Sequence, residues 1–371
     1  MIGLRMHILF VNSHLLDIPG GSETQCHEIA TRLMALGHKV TYAICRPGRQ
    51  SYDVPYPTYP LRGPLPSALA AALTELAPDV VYWRRNKRYL LRSALAARFR
   101  RIKFVFAVSA IRDLRAFTRR RYSGERVNLI RRALRMLAMI GDAAKDSANY
   151  LAVLLADGIV FQHPGQLPRD FRGCHEIIFN SYPLVVVKPE TSDSPYVLWV
   201  GNLKKVKNPE YFLRLASDLR HTRVEFWMAG GIQDPAYQRL VDDEASLPPN
   251  FRYLGLQSQD AIDSLMSGSL FVVSTSTEEG FPNVFVHAWL QRKCVVSLHV
   301  DLGGILVTEQ IGLCSGNYAA FKGDVSRLIA DPELRNTMGE RAFQFAVANC
   351  NPETNVRRLE RFLVRVVSDQ D

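Results

Sequence analysis

The stretch YVLWVGNLKKVKNPEYF (196–212) decides how this chain is organised. An apolar, strand-like run ends at Gly201. Lys204, Lys205 and Lys207 then crowd a short loop, and a helix opens at Asn208, a candidate N-cap, with Pro209 at its first position. A strand that passes through a cationic loop into a helix is the opening step of a parallel α/β unit. This one lies past the middle of a 371-residue chain, so it begins a second unit and does not extend a first.

Working outward, the same alternation runs in both directions. Towards the C-terminus, strands are expected at VEFWMAG (224–230), FRYLG (251–255), LFVVS (270–274) and CVVSL (294–298). Towards the N-terminus they are expected at HILFV (7–11), KVTYAI (39–44), DVVYW (79–83), FVFAV (104–108), GIVF (158–161) and EIIF (176–179). Between the two sets NSYPLVVVKPETSDSP (180–195) reads as a hinge, polar and proline-rich after its apolar patch. The expectation is two Rossmann-like α/β domains, 1–183 and 184–350, with parallel sheets facing a central cleft and a helix over 351–371.

A composition of 47% hydrophobic and 22% charged residues fits a soluble globular chain. No run approaches the ~18 apolar residues that span a bilayer, and the opening MIGLRMHILFVNSH is too short and wrongly flanked for a signal peptide. A cytoplasmic location is therefore expected. The six cysteines are scattered without a C-x-x-C pair, which suits reduced thiols and offers no metal framework.

Two further stretches carry chemistry. After the strand at 7–11 the loop bears Pro19, Gly20, Gly21 and Ser22 before a helix. Glycines there let an anion approach backbone N–H groups at a helix N-terminus. The second is EEGFPNVFVHAW (278–289), where two acids precede a Gly-Phe-Pro turn, Asn283 opens an apolar run, and His287 interrupts it. Glu279 beside such a turn is poorly placed for a purely structural role, since a carboxylate is costly to bury without a partner. Glu278 reads as its solvated neighbour.

Together the Gly-Gly loop, Asn180, VGNLKKVKN, MAGG, YLG at 253–255 and above all EGFPN resemble the retaining glycosyltransferases of family 4, which have the GT-B fold. The resemblance spans nearly the whole chain. It implies that Glu279 is the catalytic-site glutamate that contacts the transferred sugar. Phe281, Pro282 and Asn283 match the turn whose amides face sugar and diphosphate. Lys207 matches the lysine that grips the donor diphosphate, Gly20 and Gly21 match the loop over the same phosphates, and Leu256 falls where the nucleotide base is framed. It also suggests that the last helix crosses back onto the first domain. The implied donor is a nucleotide-diphosphate sugar, with no further cofactor and no metal.

The chain departs from the family pattern at three places. His287 stands where a second glutamate usually holds the ribose, and an imidazole still accepts one hydrogen bond and donates another. Asn202 replaces an arginine beside the diphosphate, with Lys204 or Lys205 as compensation. A histidine usual after an N-terminal-domain strand is absent from FVFAVSAIRDL, which leaves Ser109 and Asp113 as the polar groups there. These changes motivate an alternative in which the protein is a catalytically silent GT-B binding subunit.

Charge points to the acceptor. Residues 84–135 hold 18 Lys or Arg against Asp113 and Glu125, a local net of +16 in a chain of net +10. Phe117 and Tyr122 interleave with Arg119, Arg120 and Arg121, and Asn128, Arg131, Arg132 and Arg135 share one helical face. This suits an anionic membrane surface, or an acceptor that is a glycan or polyprenyl-diphosphate-linked sugar. No zinc-finger spacing, helix-turn-helix cue or aromatic RNA-binding motif accompanies the patch, so nucleic acid is not expected.

Overall fold

The computed structural model of the chain describes residues 4–18, 20–114, 129–242 and 247–369, with the backbone alone at 129–140 and 142. It forms two compact units. One comprises Met1–Ile178 together with Pro352–Asp371, and the other Phe179–Asn351.

The first unit holds strands β1 (His7–Asn12), β2 (Lys39–Cys45), β3 (Thr58–Leu61), β4 (Val80–Trp83), β5 (Lys103–Ala107), β6 (Gly158–Phe161) and β7 (His175–Ile177), with helices α1 (Gly21–Ala35), α2 (Leu65–Leu76), α3 (Leu90–Arg98) and α4 (Leu129–Leu154). The sheet order is β3-β2-β1-β4-β5-β6-β7, and every pair is parallel. Side chains alternate across it, as the pleat requires. Ile8 and Phe10 join the core beneath α1, while Leu9 and Val11 join the opposite core with α2 and α3. Both faces are covered, which explains why the strands read as continuous apolar runs.

The second unit repeats the plan with β8 (Tyr196–Val200), β9 (Glu225–Ala229), β10 (Phe251–Tyr253), β11 (Val272–Ser274), β12 (Val295–Ser297) and β13 (Gly312–Cys314). Its helices are α5 (Pro209–Asp218), α6 (Gln238–Asp242), α7 (Gln259–Gly268), α8 (Asn283–Leu290), α9 (Ile305–Thr308), α10 (Tyr318–Ala330) and α11 (Pro332–Asn349). The order β10-β9-β8-β11-β12-β13 reverses direction between β8 and β11. In sheets of this kind ligands bind outside the carboxyl ends of the strands at that reversal. The two strands absent from the sequence reading, β3 and β13, are both sheet edges. Pro60 inside β3 donates no ladder bond, and an edge position tolerates that.

The last helix, α12 (Pro352–Ser368), belongs to the first unit. Val356, Leu359, Phe362, Leu363 and Val366 enter the same core as Ile8, Phe10 and the α1 residues Cys26, Ile29 and Leu33. The approach to β6 is close: a Cβ at Gly158 would lie 2.7 Å from the Phe362 ring and 2.9 Å from Val366, so a larger residue there would force these α12 side chains to shift. Among the described residues no helix is long and apolar enough to cross a membrane.

Candidate functional site

The loops that follow β8 and β11 flank the reversal point of the second sheet, and hydrogen bonds stitch them together. Thr275 is the fastener. Its hydroxyl donates to the Lys207 carbonyl at 2.6 Å and accepts from Trp199 Nε1 at 2.9 Å, while its own carbonyl accepts from Asn208 Nδ2 at 3.1 Å. The backbone N–H of Thr277 reaches the Val206 carbonyl at 3.0 Å. Asn208 therefore occupies the N-cap position of α5 but does not cap it with its side chain. It sits at φ 44° with no side-chain cap bond, because its amide is spent across the loops, while Pro209 begins the helix as expected.

This stitching brings Lys207 to Glu279. Nζ lies 2.5 Å from Oε1, and each side chain is only 17% exposed. Two sequence-predicted site residues, 72 positions apart, thus form a half-buried ion pair. Beside them Glu278 is only partly the solvated neighbour expected from the sequence: the residue is half-buried, and its Oε1 is sealed from water with no hydrogen-bond partner among the described residues. The turn that follows is anchored from the start of the unit. Phe281 is buried against Phe179 at 5.6 Å between ring centroids, and Asn283, the first residue of α8, accepts from Asn180 Nδ2 at 2.6 Å. Pro282 occupies the N-cap position of α8. Lys204 is half-buried, and Lys205 is exposed on the loop.

The carboxyl ends of β8, β9 and β10 converge nearby. Gly230 N–H donates to the Gly255 carbonyl at 2.8 Å, and Leu203 N–H to the Gly231 carbonyl at 2.8 Å. Gly230 adopts φ +149°, and a Cβ there would strike the Gly201 carbonyl. A Cβ built on Gly231 would lie 3.5 Å from Leu256 Cδ1 and 3.7 Å from Asn202 Oδ1, so those side chains flank one spot. Leu256 is 79% exposed there.

His287 lies in a different setting. It is buried, with its ring 4.0 Å from that of Tyr182 and its Nδ1 3.0 Å from Asp263 Oδ1 and 3.2 Å from Gln259 Nε2. Both polar contacts engage Nδ1. The sequence reading assigned this imidazole no carboxylate partner. The one available signal was that Gln259 and Asp263, four apart, share a face of α7.

In the first unit α1 begins at Gly21, with Gly20 at its N-cap position. The Glu23 carboxylate is turned back so closely onto Gly20 that a Cβ there would meet it. The preceding loop is pinned by a chain of neutral hydrogen bonds. Leu16 N–H must donate to His14 Nδ1 (3.2 Å), so His14 Nε2 carries the proton and donates to the Tyr56 oxygen (3.2 Å). The Tyr56 hydroxyl then donates to His27 Nδ1 at 2.7 Å. Burial holds both histidines below the usual 6.5, and the charge of His27 adds to the effect at His14. Since the folded values are depressed, the unfolded chain binds more protons, and stability is full above the ordinary histidine pKa and falls as pH drops below it. Unfolding free energy measured by urea titration is therefore expected to drop between about pH 7.5 and 5.5, and to drop less in His27→Gln. An equal pH dependence in both proteins would refute this assignment of donors.

Ser109 and Asp113 turn inward. The Ser109 hydroxyl donates to Asp113 Oδ2 at 3.3 Å, Lys87 N–H donates to Oδ1 at 3.2 Å, and burial raises the Asp113 pKa. The basic segment is also not uniformly a surface face: Arg84 and Lys87 are 4% and 5% exposed, and Lys87 Nζ pairs with Asp146 at 2.9 Å. Phe117, Arg119, Arg120, Arg121, Tyr122 and Asn128, and the side chains of Arg131, Arg132 and Arg135, lie outside the described residues, as does Pro19. Among the described residues no three His, Cys, Asp or Glu side chains group as a metal site requires.

Comparison with known proteins joins this geometry to a family. Residues 185–345 match the family described as glycosyl transferases group 1, and residues 19–140 match glycosyltransferase family 4. Over 158 residues the chain is 30% identical to the alpha-D-kanosaminyltransferase of Streptomyces kanamyceticus; the match spans 40% of each protein. Among solved structures, sucrose-phosphate synthase from Thermosynechococcus elongatus superimposes with a TM-score of 0.76 at 16% identity, over 99% of this chain and 100% of that one. Anabaena Alr3699/HepE in complex with UDP gives 0.74 at 18% identity, over 97% and 100%. At these identities the structural likeness speaks to the fold.

Proposed function

Because the chain belongs to the group 1, family 4 glycosyltransferases and has their GT-B fold, we propose that it is a retaining enzyme that moves a sugar from a UDP- or GDP-sugar to a surface glycan or lipid-linked acceptor. The observation that carries this reading is the Lys207–Glu279 pair at the reversal point of the second sheet. A cation there suits the donor diphosphate, and a carboxylate suits the sugar hydroxyls. In the reaction the bond between the anomeric carbon and the diphosphate oxygen breaks, and the acceptor hydroxyl bonds to that carbon on the same face. Its proton passes to the departing phosphate oxygen. Negative charge grows on the leaving group, so fixed cationic and backbone donors matter more than a strong base. Lys207, assisted by Lys204 or Lys205 and by the backbone N–H groups of Phe281 and Asn283 on either side of Pro282, which has none, fills that role without a metal. Leu256 offers an exposed apolar face to the base, and in the first unit Gly20 and Gly21 stand at the N-terminus of α1, a setting that suits an anion.

The acceptor reading rests on the charge of segment 84–135, which favours a polyprenyl-diphosphate-linked sugar at an anionic membrane surface on the cytoplasmic side. A second reading, a nucleotide- or glycan-binding subunit without turnover, draws on His287, whose Nδ1 is committed to Asp263 and Gln259.

One experiment separates these readings. Thermal unfolding is followed with UDP, GDP, ADP and their sugar conjugates, with and without Mg²⁺, and the best ligand is then offered with lipid-linked acceptors in anionic vesicles. A donor-specific rise in midpoint without Mg²⁺, followed by transfer with retained configuration, is the expected result. Binding without turnover would establish the silent subunit. Dependence on Mg²⁺ would overturn the metal-free mechanism, and transfer to free glycans alone would remove the membrane from the proposal.

A further inference from the structure

In the first unit α12 and the edge strand β7 enclose a surface cavity of about 230 Å³, lined by Glu176, Arg358, Arg361, Phe362 and Arg365. At 100° per residue the three arginines fall within an arc of about 60° on the helix. Phe362 is 2% exposed and forms an apolar floor, with the Arg365 guanidinium over its ring at 5.3 Å from the centroid. One carboxylate faces three guanidinium groups. Glu176 Oε1 accepts from Arg358 Nη2 at 2.7 Å, and Oε2 lies 3.9 Å from Arg365 Nη2, which also donates to the His175 carbonyl at 3.1 Å. Arg361 is exposed and makes no hydrogen bond or ion pair among the described residues.

The apolar side of α12 and the Arg358–Glu176 pair already hold the helix to the sheet. Arg365 stands in the last turn, where the helix dipole favours a cation. Arg361 has neither support, and like charges one turn apart repel unless something neutralises them.

We propose that this cavity binds a phosphate group. A dianion, together with Glu176, balances the three guanidinium charges, and the planar forks of Arg361, Arg358 and Arg365 match phosphate oxygens in a way that ammonium groups do not. The phosphate belongs either to a soluble ester or to the headgroup of a phosphatidate-type lipid, which present the same chemistry. The site lies in the other unit from Lys207 and does not depend on the donor reading.

Inorganic phosphate is titrated into full-length Lys207→Ala protein, in which the donor-facing lysine is gone. One binding event is expected, weakened at least about tenfold by adding Arg361→Ala and by less with Arg361→Lys, which keeps the charge but loses the fork. Because Arg361 is exposed and unpaired, the unfolding midpoint without phosphate should not move, which separates lost binding from lost structure. Cosedimentation with phosphatidylcholine vesicles, with and without phosphatidate, identifies the source. Arg361-dependent capture by phosphatidate vesicles marks a lipid headgroup, and Arg361-dependent phosphate binding without such capture marks a soluble ester. Binding that is absent from both assays, or unchanged by Arg361→Ala in both, overturns the proposal.

Discussion

Replacing Glu279 by Gln is expected to slow sugar transfer by about two to three orders of magnitude while tightening the binding of the free nucleoside diphosphate. Without ligand, Lys207 is already occupied: Glu279 Oε1 holds its ammonium at 2.5 Å. A bare diphosphate must compete with that carboxylate for the lysine, whereas the sugar of an intact donor gives the carboxylate new partners. Glutamine keeps the shape and removes the competitor. Both side chains retain some contact with water, so the gain is of the order of 1 kcal/mol, roughly fivefold in affinity. Loss of the carboxylate from the sugar should lower the rate by about 10²–10³. Calorimetry with UDP and GDP, beside initial rates, measures both. Unchanged turnover would remove Glu279 from the catalytic site, and weaker diphosphate binding would mean that it supports the phosphate pocket and does not compete for it.

The second large effect is on stability. Gly230→Ala is expected to lower the unfolding free energy by about 3–5 kcal/mol, because the new methyl meets the Gly201 carbonyl, a backbone atom that cannot swing away, at a φ of +149° that alanine resists. Relief would require the ends of β8 and β9 to part, and with them the bonds from Gly230 to Gly255 and from Leu203 to Gly231. Gly231→Ala is the control. Its Cβ meets Leu256 at an ordinary 3.5 Å, and its effect should stay within about 1 kcal/mol. Urea unfolding of both variants checks the contrast; equal losses would show that the close approach at Gly230 is not what constrains the position.

Much of the fold was legible because buried parallel strands have a strong signature. Apolar runs such as HILFV and YVLWV must be covered on both faces, and their alternation with helices leaves few architectures. Edge strands lack that signature, which is why β3, with Pro60, and the three-residue β13 escaped notice. At the site the residue types were legible but their partners were not. Lys207 and Glu279 each read as phosphate- or sugar-facing groups, yet their pairing depends on Thr275 fastening two loops that are remote in sequence. Asn208 had the chemistry of a cap, and the tertiary bond to Thr275 outcompeted it. Glu278 looked solvated because an adjacent pair of acids usually is, and only the path of the loop seals one of its oxygens. His287 posed a question that local sequence cannot answer, since its partner Asp263 comes from another helix.

The return of α12 to the first unit has a consequence for how the protein is made. Val356, Leu359, Phe362, Leu363 and Val366 are translated after the whole second unit, yet they complete the core that Ile8 and Phe10 began. While the ribosome is still making the second unit, the nascent first unit presents an uncovered apolar sheet face beside α1. The unit translated first is thus finished last. During synthesis it is the second unit, contiguous from Phe179 to Asn351, that has all its own parts first, and the open face of the other is where chaperones would be engaged.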